Sequence, residues 1–134
     1  MKIYIAYKFA GENQEELIRT LKEISDILEE KGHKVYYASK EEDLFTKKKF
    51  TFKQILNHAL KELDNSDAIL VFVKSNEKSE GMLLEVGYAL SKKKKIILAI
   101  KQGVNLPFTE DIADRTIEFT DINYLKEKLG EIPA

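Results

Sequence analysis

A single carboxylate interrupts an otherwise apolar stretch of the chain. Residues 80–90 read EGMLLEVGYAL, and beyond the first position Glu85 is the only charged side chain in this segment. An ionised carboxylate in a buried helix costs free energy unless it is paired or faces a ligand cleft. Composition alone leaves two explanations open: Glu85 fills a gap between helices or pairs with a lysine, or it is the centre of an active site.

Four further residues are candidates for binding a ligand. Two lie just before Glu85, and two lie at or just after the end of the first apolar segment. Ser79 is a suitable helix N-cap, and it would leave the amides of Glu80 and Gly81 free for an anion such as phosphate. Gly81 leaves room for a ligand to approach the backbone. Lys8 is a candidate phosphate contact and Tyr7 a candidate for stacking on a base, although a solvated lysine and a packing tyrosine are the common alternatives.

Composition excludes several kinds of function. The chain has 134 residues, 43% hydrophobic and 34% charged, with a formal net charge of −1. These values predict one domain spanning residues 1–134 without the basic field of a nucleic-acid-binding protein. The absence of cysteine removes thiolate chemistry, and with only two histidines we expect no metal site and no cofactor.

Hydrophobic patterning suggests a location. The first residues, MKIYIAYKF, lack the apolar core of a signal peptide, and no apolar run approaches about 18 residues. We therefore expect a cytoplasmic protein with no membrane partner.

Strand-like and helix-like segments alternate along the chain. Apolar residues recur at spacings of three and four in the helical segments, and the run AILVFV at 68–73 is typical of a parallel strand covered on both faces. The predicted strands are 2–7, 33–38, 68–73, 95–100 and 116–119. The predicted helices are 12–31, 51–63, 80–91 and 121–129, and 39–50 is predicted to be a long loop.

This alternation predicts an α/β fold with three layers, a single flavodoxin-like or Rossmann-like domain with a five-stranded parallel sheet. The strand order 2-1-3-4-5 fits the chain length best. In that order ligands bind beyond the carboxyl ends of strands one and three, where the order reverses. The segments 7–11, 39–50 and 74–85 would surround this crevice, which places Glu85 in the second turn of a helix that starts there.

Several segments together resemble a known family. Tyr4 within KIYIA, the pair Ser66-Asp67, and SEGMLLEVGYAL followed by KKKIILAI are similar to the nucleoside 2-deoxyribosyltransferase family, including the related 2′-deoxynucleoside 5′-phosphate N-hydrolases. The resemblance covers the first strand and about residues 64–100. It implies a flavodoxin-like fold and an enzyme that cleaves or transfers at the N-glycosidic bond of a small-molecule nucleoside or nucleotide. It also implies a homodimer or larger homo-oligomer.

The resemblance also implies roles for individual residues. The nucleophilic glutamate of the family falls on Glu85, and the strand-one tyrosine that holds it falls on Tyr4. Ser79 occupies the position of a phosphate-contacting serine in the hydrolases. The family's catalytic aspartate falls at about Ala59, where this chain has no carboxylate; His58 and Asp64 stand nearby in sequence.

Ala59 keeps a second hypothesis open, namely a catalytically impaired nucleotide-binding or regulatory module of the same fold. A TIR-like domain that cleaves NAD, which shares the topology and a catalytic glutamate, is a more distant alternative. The sequence does not separate transfer from hydrolysis, purine from pyrimidine, or nucleoside from monophosphate. It contains no P-loop, GxGxxG or nucleophile-elbow motif.

Overall fold

A computed structural model describes residues 1–133, which form a central parallel sheet with helices on both faces. The sheet has the strand order β2-β1-β3-β4-β5, and every neighbouring pair is parallel. The predicted α/β flavodoxin-like topology is therefore confirmed. The strands are β1 (Lys2–Tyr7), β2 (Lys34–Tyr36), β3 (Ala68–Val73), β4 (Lys95–Lys101) and β5 (Arg115–Phe119).

The helices form the outer layers, and each layer encloses its own apolar core. One core lies between the sheet and helices α1 and α6, and the other lies between the sheet and helices α3 and α4. A short 3₁₀ helix, Ala38–Glu41, precedes α2. The α-helices are α1 (Gln14–Glu30), α2 (Glu42–Lys47), α3 (Phe52–Asp64), α4 (Glu80–Ser91), α5 (Pro107–Ile112) and α6 (Ile122–Leu129).

Three short helices lie where the sequence predicted none. The predicted loop 39–50 contains the 3₁₀ helix and α2, and the predicted second strand 33–38 is reduced to β2. Phe45 of α2 packs against Phe50 with ring centroids 5.4 Å apart and against His58 of α3 at 5.6 Å. Because the contact with α3 is tertiary, the local spacing of apolar residues gave no sign of it. The six-residue α5 is similarly too short to produce a periodic pattern.

The alternation of β1 positions one of the candidate catalytic residues. Ile3 and Ile5 point into the core beneath α1, whereas Tyr4 and Ala6 point into the core beneath α3 and α4. Ser79 ends the β3–α4 connection as the N-cap of α4, and its hydroxyl accepts a hydrogen bond from the Met82 amide at 3.2 Å. Tyr4 and the first turns of α4 therefore meet at the carboxyl edge of the sheet.

Within residues 1–133, no helix has both the length and the apolar character that crossing a bilayer requires.

Candidate functional site

The Tyr4 hydroxyl donates a hydrogen bond to the Glu85 carboxylate, between residues 81 positions apart in the chain. Tyr4 is almost completely buried, with 1% of its surface exposed. Burial raises the pKa of Glu85 from an ordinary 4.5 to about 7, while the hydrogen bond from Tyr4 acts in the opposite direction. The pKa of Tyr4 is raised by its own burial and then by the Glu85 charge, so the phenol keeps its proton.

Glu85 lies on the wall of a cavity of about 450 Å³, here called the Glu85 chamber. The chamber extends from the end of β1 to the start of α4, with one face of α3 on the opposite side. It brings together all six residues singled out in the sequence: Tyr4, Tyr7, Lys8, Ser79, Gly81 and Glu85. The elements that carry them lie at the switch point of the strand order, which is where an open α/β sheet binds its ligands.

A second cavity, of about 440 Å³, adjoins the Glu85 chamber. This aromatic chamber shares Tyr7, Phe9, Ala38 and Ile55 with its neighbour and is otherwise walled by the segment 39–50. Its remaining lining residues are Ser39, Glu42, Phe45, Thr46, Lys49 and Phe50. The sequence did not identify this chamber. The two phenylalanines in an otherwise polar, lysine-rich segment were the only signal.

Ser39 lines the aromatic chamber directly after Ala38, which lines both chambers. Its amide donates to the Tyr7 hydroxyl at 3.0 Å, so that hydroxyl is already engaged as an acceptor. The Ser39 hydroxyl oxygen is buried and has no hydrogen-bond partner within residues 1–133. A buried hydroxyl of this kind is available to a water or to a polar group of a bound ligand.

The start of α4 presents backbone groups to the Glu85 chamber. Because Ser79 caps the Met82 amide, the amides of Glu80 and Gly81 in the first turn remain free of the capping bond. A Cβ built on Gly81 would meet no described atom within 4 Å, so the space beside this backbone is open. This opening fits the prediction that a ligand approaches here.

Lys8 lines the chamber, but its charge is compensated within the protein. Its ammonium lies 3.0 Å from the Glu77 carboxylate and 3.9 Å from that of Glu12. Glu12 also pairs with Lys74 at 3.7 Å. An anionic ligand would therefore have to compete with Glu77 for Lys8, and Glu77 is largely exposed and can move away.

The acid expected near Ala59 is absent from the chamber wall. Ala59 itself lines the Glu85 chamber and is 4% exposed. Among residues 1–133, neither His58 nor Asp64 lines either chamber. His58 instead contacts Glu41 of the 3₁₀ helix, and Asp64 accepts a hydrogen bond from the Tyr88 hydroxyl at 2.8 Å. The described carboxylates that line the two chambers are Glu42, Glu80 and Glu85.

Solved structures share the fold over almost the full length of the chain. A CMP N-glycosidase of Clostridium botulinum superposes with a TM-score of 0.72 at 19% identity, covering 96% of this chain and 97% of that one. A 2-deoxyribosyltransferase of Bacillus psychrosaccharolyticus superposes with a TM-score of 0.70 at 20% identity, covering 100% and 99%. A flavodoxin-like domain from Synechococcus gives 0.50 at 12% identity, covering 96% and 92%.

Sequence comparison supplies the family. No curated protein matches the chain significantly. The family model described as nucleoside 2-deoxyribosyltransferase matches residues 3–126, which include every residue of the Glu85 chamber. The chain therefore belongs to the nucleoside 2-deoxyribosyltransferase family.

Proposed function

We propose that this protein cleaves the N-glycosidic bond of a deoxynucleoside or its 5′-monophosphate, with Glu85 as the nucleophile. The observation that carries this proposal is the partly buried Glu85 carboxylate, held by the Tyr4 hydroxyl on the wall of a chamber large enough for a nucleotide. Family membership supports the reaction class. Deoxyribosyl transfer and hydrolysis share the first half of this chemistry.

The mechanism follows that of a retaining glycosidase. One Glu85 carboxylate oxygen attacks C1′ while the C1′–N bond breaks, and the bonding electron pair leaves with the base. The resulting glycosyl ester is then attacked at C1′ by water or by a second base, which restores the carboxylate. The Tyr4 hydrogen bond orients the carboxylate and favours its ionised form, which is the form that attacks.

The two chambers suggest how a nucleotide lies in the site. The deoxyribose would occupy the Glu85 chamber, with a 5′-phosphate at the N-terminus of α4, where Ser79 and free backbone amides meet the positive end of the helix dipole. The base would extend past Tyr7 into the aromatic chamber, whose phenylalanines provide apolar surface for a ring.

The departing base needs a proton, and Glu42 is the best-placed acid in this arrangement. It is the carboxylate that lines the aromatic chamber, whereas Glu80 lies at the helix terminus proposed for the phosphate. General acid assistance is typically worth about 10²- to 10⁴-fold. Glu42→Gln should therefore slow the cleavage of ordinary deoxynucleosides but not of 7-methyl-2′-deoxyguanosine, whose base is already cationic and leaves without protonation. Equal slowing of both substrates would contradict the role.

Base release tests the proposal directly. Wild-type protein, Glu85→Gln and the matched control Glu127→Gln, an exposed glutamate on α6 at the opposite face, are incubated with a panel of deoxynucleosides and deoxynucleotides. Chromatography should detect free or exchanged base with wild type and the control, and none with Glu85→Gln. Equal rates for wild type and Glu85→Gln would refute the nucleophile. An inert wild type that is nevertheless stabilised by a nucleotide would favour the binding module.

We also propose that the protein is a cytoplasmic homodimer in which α4 takes part in the interface. Three leucines of α4 are exposed: Leu83 at 40%, Leu84 at 53% and Leu90 at 49%. Leu83 and Leu90 are seven positions apart and therefore share one face of the helix, and exposed leucines on one face are typical of an interface between protein molecules. Light scattering after size-exclusion chromatography tests the dimer.

A further inference from the structure

Three side chains of types that bind metal ions converge outside both chambers, where α3 meets the 3₁₀ helix. Glu41 ends the 3₁₀ helix, and His58 and Glu62 lie one turn apart on α3. One ligand atom from each of them lies within 4.8 Å of the other two. Residues four apart on a helix project from the same face, so His58 and Glu62 present their ligand atoms side by side to Glu41.

The imidazole of His58 is incompletely satisfied within the protein. Its Nε2 atom is buried and makes no hydrogen bond to any described residue, although the Glu41 carboxylate lies in contact with it. The carboxylate is therefore close in distance but outside the direction that a hydrogen bond requires. The nitrogen is therefore free to share a cation with the Glu41 carboxylate that it contacts. A cation bound by all three side chains would satisfy the nitrogen and both carboxylates.

Surrounding residues already orient these ligands. The Tyr36 hydroxyl donates to the Glu41 carboxylate at 3.3 Å, as an outer partner does for a ligating carboxylate. The His58 ring lies edge-on to Phe45 and is tilted against Tyr36, with centroid distances of 5.6 and 6.4 Å. Lys2 contacts one oxygen of Glu62 at 3.3 Å, which leaves the second oxygen for a ligand role.

We propose that Glu41, His58 and Glu62 form a divalent metal site whose preferred ion is Zn²⁺. One imidazole and two carboxylates suit Zn²⁺ better than Mg²⁺, which prefers oxygen ligands alone. Ligand bonds of about 2.0–2.2 Å require the side chains to draw together slightly from their present spacing. The proposal does not rest on the glycosidic chemistry, and it departs from the expectation, based on composition, that the protein has no metal site.

The site has a structural consequence for the aromatic chamber. Glu41 immediately precedes α2, which walls that chamber through Phe45 and Thr46, whereas His58 and Glu62 belong to α3. A bound ion would therefore fasten the start of α2 to α3. We expect Zn²⁺ to slow hydrogen exchange of the α2 amides more than that of amides elsewhere.

Calorimetry with zinc chloride on chelator-treated full-length protein tests the site. Wild type should bind one Zn²⁺ per chain, with Mg²⁺ binding at least tenfold more weakly, and its Tm should rise by roughly 5–15 °C at a hundredfold excess over Kd. His58→Ala and Glu62→Gln should abolish saturable binding. Asp43→Asn, an exposed carboxylate of α2 outside the cluster, should bind as wild type does.

Two variants keep the test informative if one of them folds poorly, since His58 also packs against aromatic rings. Absence of saturable Zn²⁺ binding to folded wild type would overturn the proposal. Wild-type affinity in folded Glu62→Gln or His58→Ala would overturn it as well, because the ion would then be held elsewhere. Neither result depends on whether the protein cleaves nucleosides.

Discussion

Substitution of Tyr4 by phenylalanine should move the acid side of the pH–rate profile to higher pH. The Tyr4 hydroxyl is the one described group whose hydrogen bond lowers the pKa of Glu85, against a desolvation that raises it to about 7. A hydrogen bond to a charged group contributes about 1.5–3 kcal/mol, and one pKa unit corresponds to about 1.4 kcal/mol. Loss of the bond should therefore raise the pKa of Glu85 by roughly one to two units.

The expected change in rate follows from the ionised fraction. At pH 7 about half of Glu85 is ionised in the wild type, whereas roughly 1–10% would be ionised in Tyr4→Phe. The value of kcat/KM at pH 7 should fall by about 5- to 50-fold and should recover substantially above pH 9. Activity of wild type should itself fall about tenfold per pH unit below 7.

The assay is kcat/KM for base release between pH 5 and 10, with Tyr88→Phe as the matched control. Tyr88 is also a tyrosine whose hydroxyl donates to a carboxylate, that of Asp64, but it lies outside both chambers. The control should keep the wild-type profile. If Tyr4→Phe lowered the rate equally at every pH, the proposed effect on the pKa of Glu85 would be refuted.

Three further predictions concern stability, phosphate recognition and assembly. In the folded protein the pKa of Glu85 is raised from 4.5 to about 7. The protonated carboxyl therefore stabilises the fold fully below pH 4.5. This contribution to the free energy of unfolding, up to about 3 kcal/mol, is lost as the pH rises through 7. Glu85→Gln should therefore melt several degrees above wild type at pH 8 and at a similar temperature near pH 5; a lower Tm at pH 8 would contradict this. Ser79→Ala should raise KM for a monophosphate more than for the nucleoside. The control Asp121→Ala removes the equivalent N-cap of α6 and lowers the stability of the fold by a similar ~1 kcal/mol. It should change neither KM. Leu84→Glu should convert a dimer into a monomer by light scattering, and an unchanged molar mass would exclude this face as the interface.

The sheet could be predicted from the sequence because its determinants are local. The continuous apolar run of β3 and the three-and-four spacing of α1, α3 and α4 each identify an element without knowledge of its neighbours. Alternation of these elements then restricts the topology. The short helices α2 and α5 were missed because tertiary contacts, such as those of Phe45, stabilise them rather than a repeating pattern.

The candidate site was only partly predictable for the same reason. Glu85 stood out because a carboxylate is unusual in an apolar helix, and the resemblance paired it with Tyr4 across 81 positions. The aromatic chamber depends on how segment 39–50 folds over the sheet, which its composition does not reveal. The convergence of Glu41 with His58 likewise required the three-dimensional fold, since only His58 and Glu62 show a helical spacing.

If Glu85 is the nucleophile, it becomes covalently glycosylated during turnover. Wild-type protein is quenched in acid during steady-state cleavage of a deoxynucleoside or its monophosphate, digested, and analysed by mass spectrometry. We expect a deoxyribosyl or deoxyribosyl-phosphate mass increment on the peptide that contains α4, located at Glu85 and absent from Glu85→Gln. Substrate turnover with no such adduct, together with undiminished base release by Glu85→Gln, would contradict this role of Glu85.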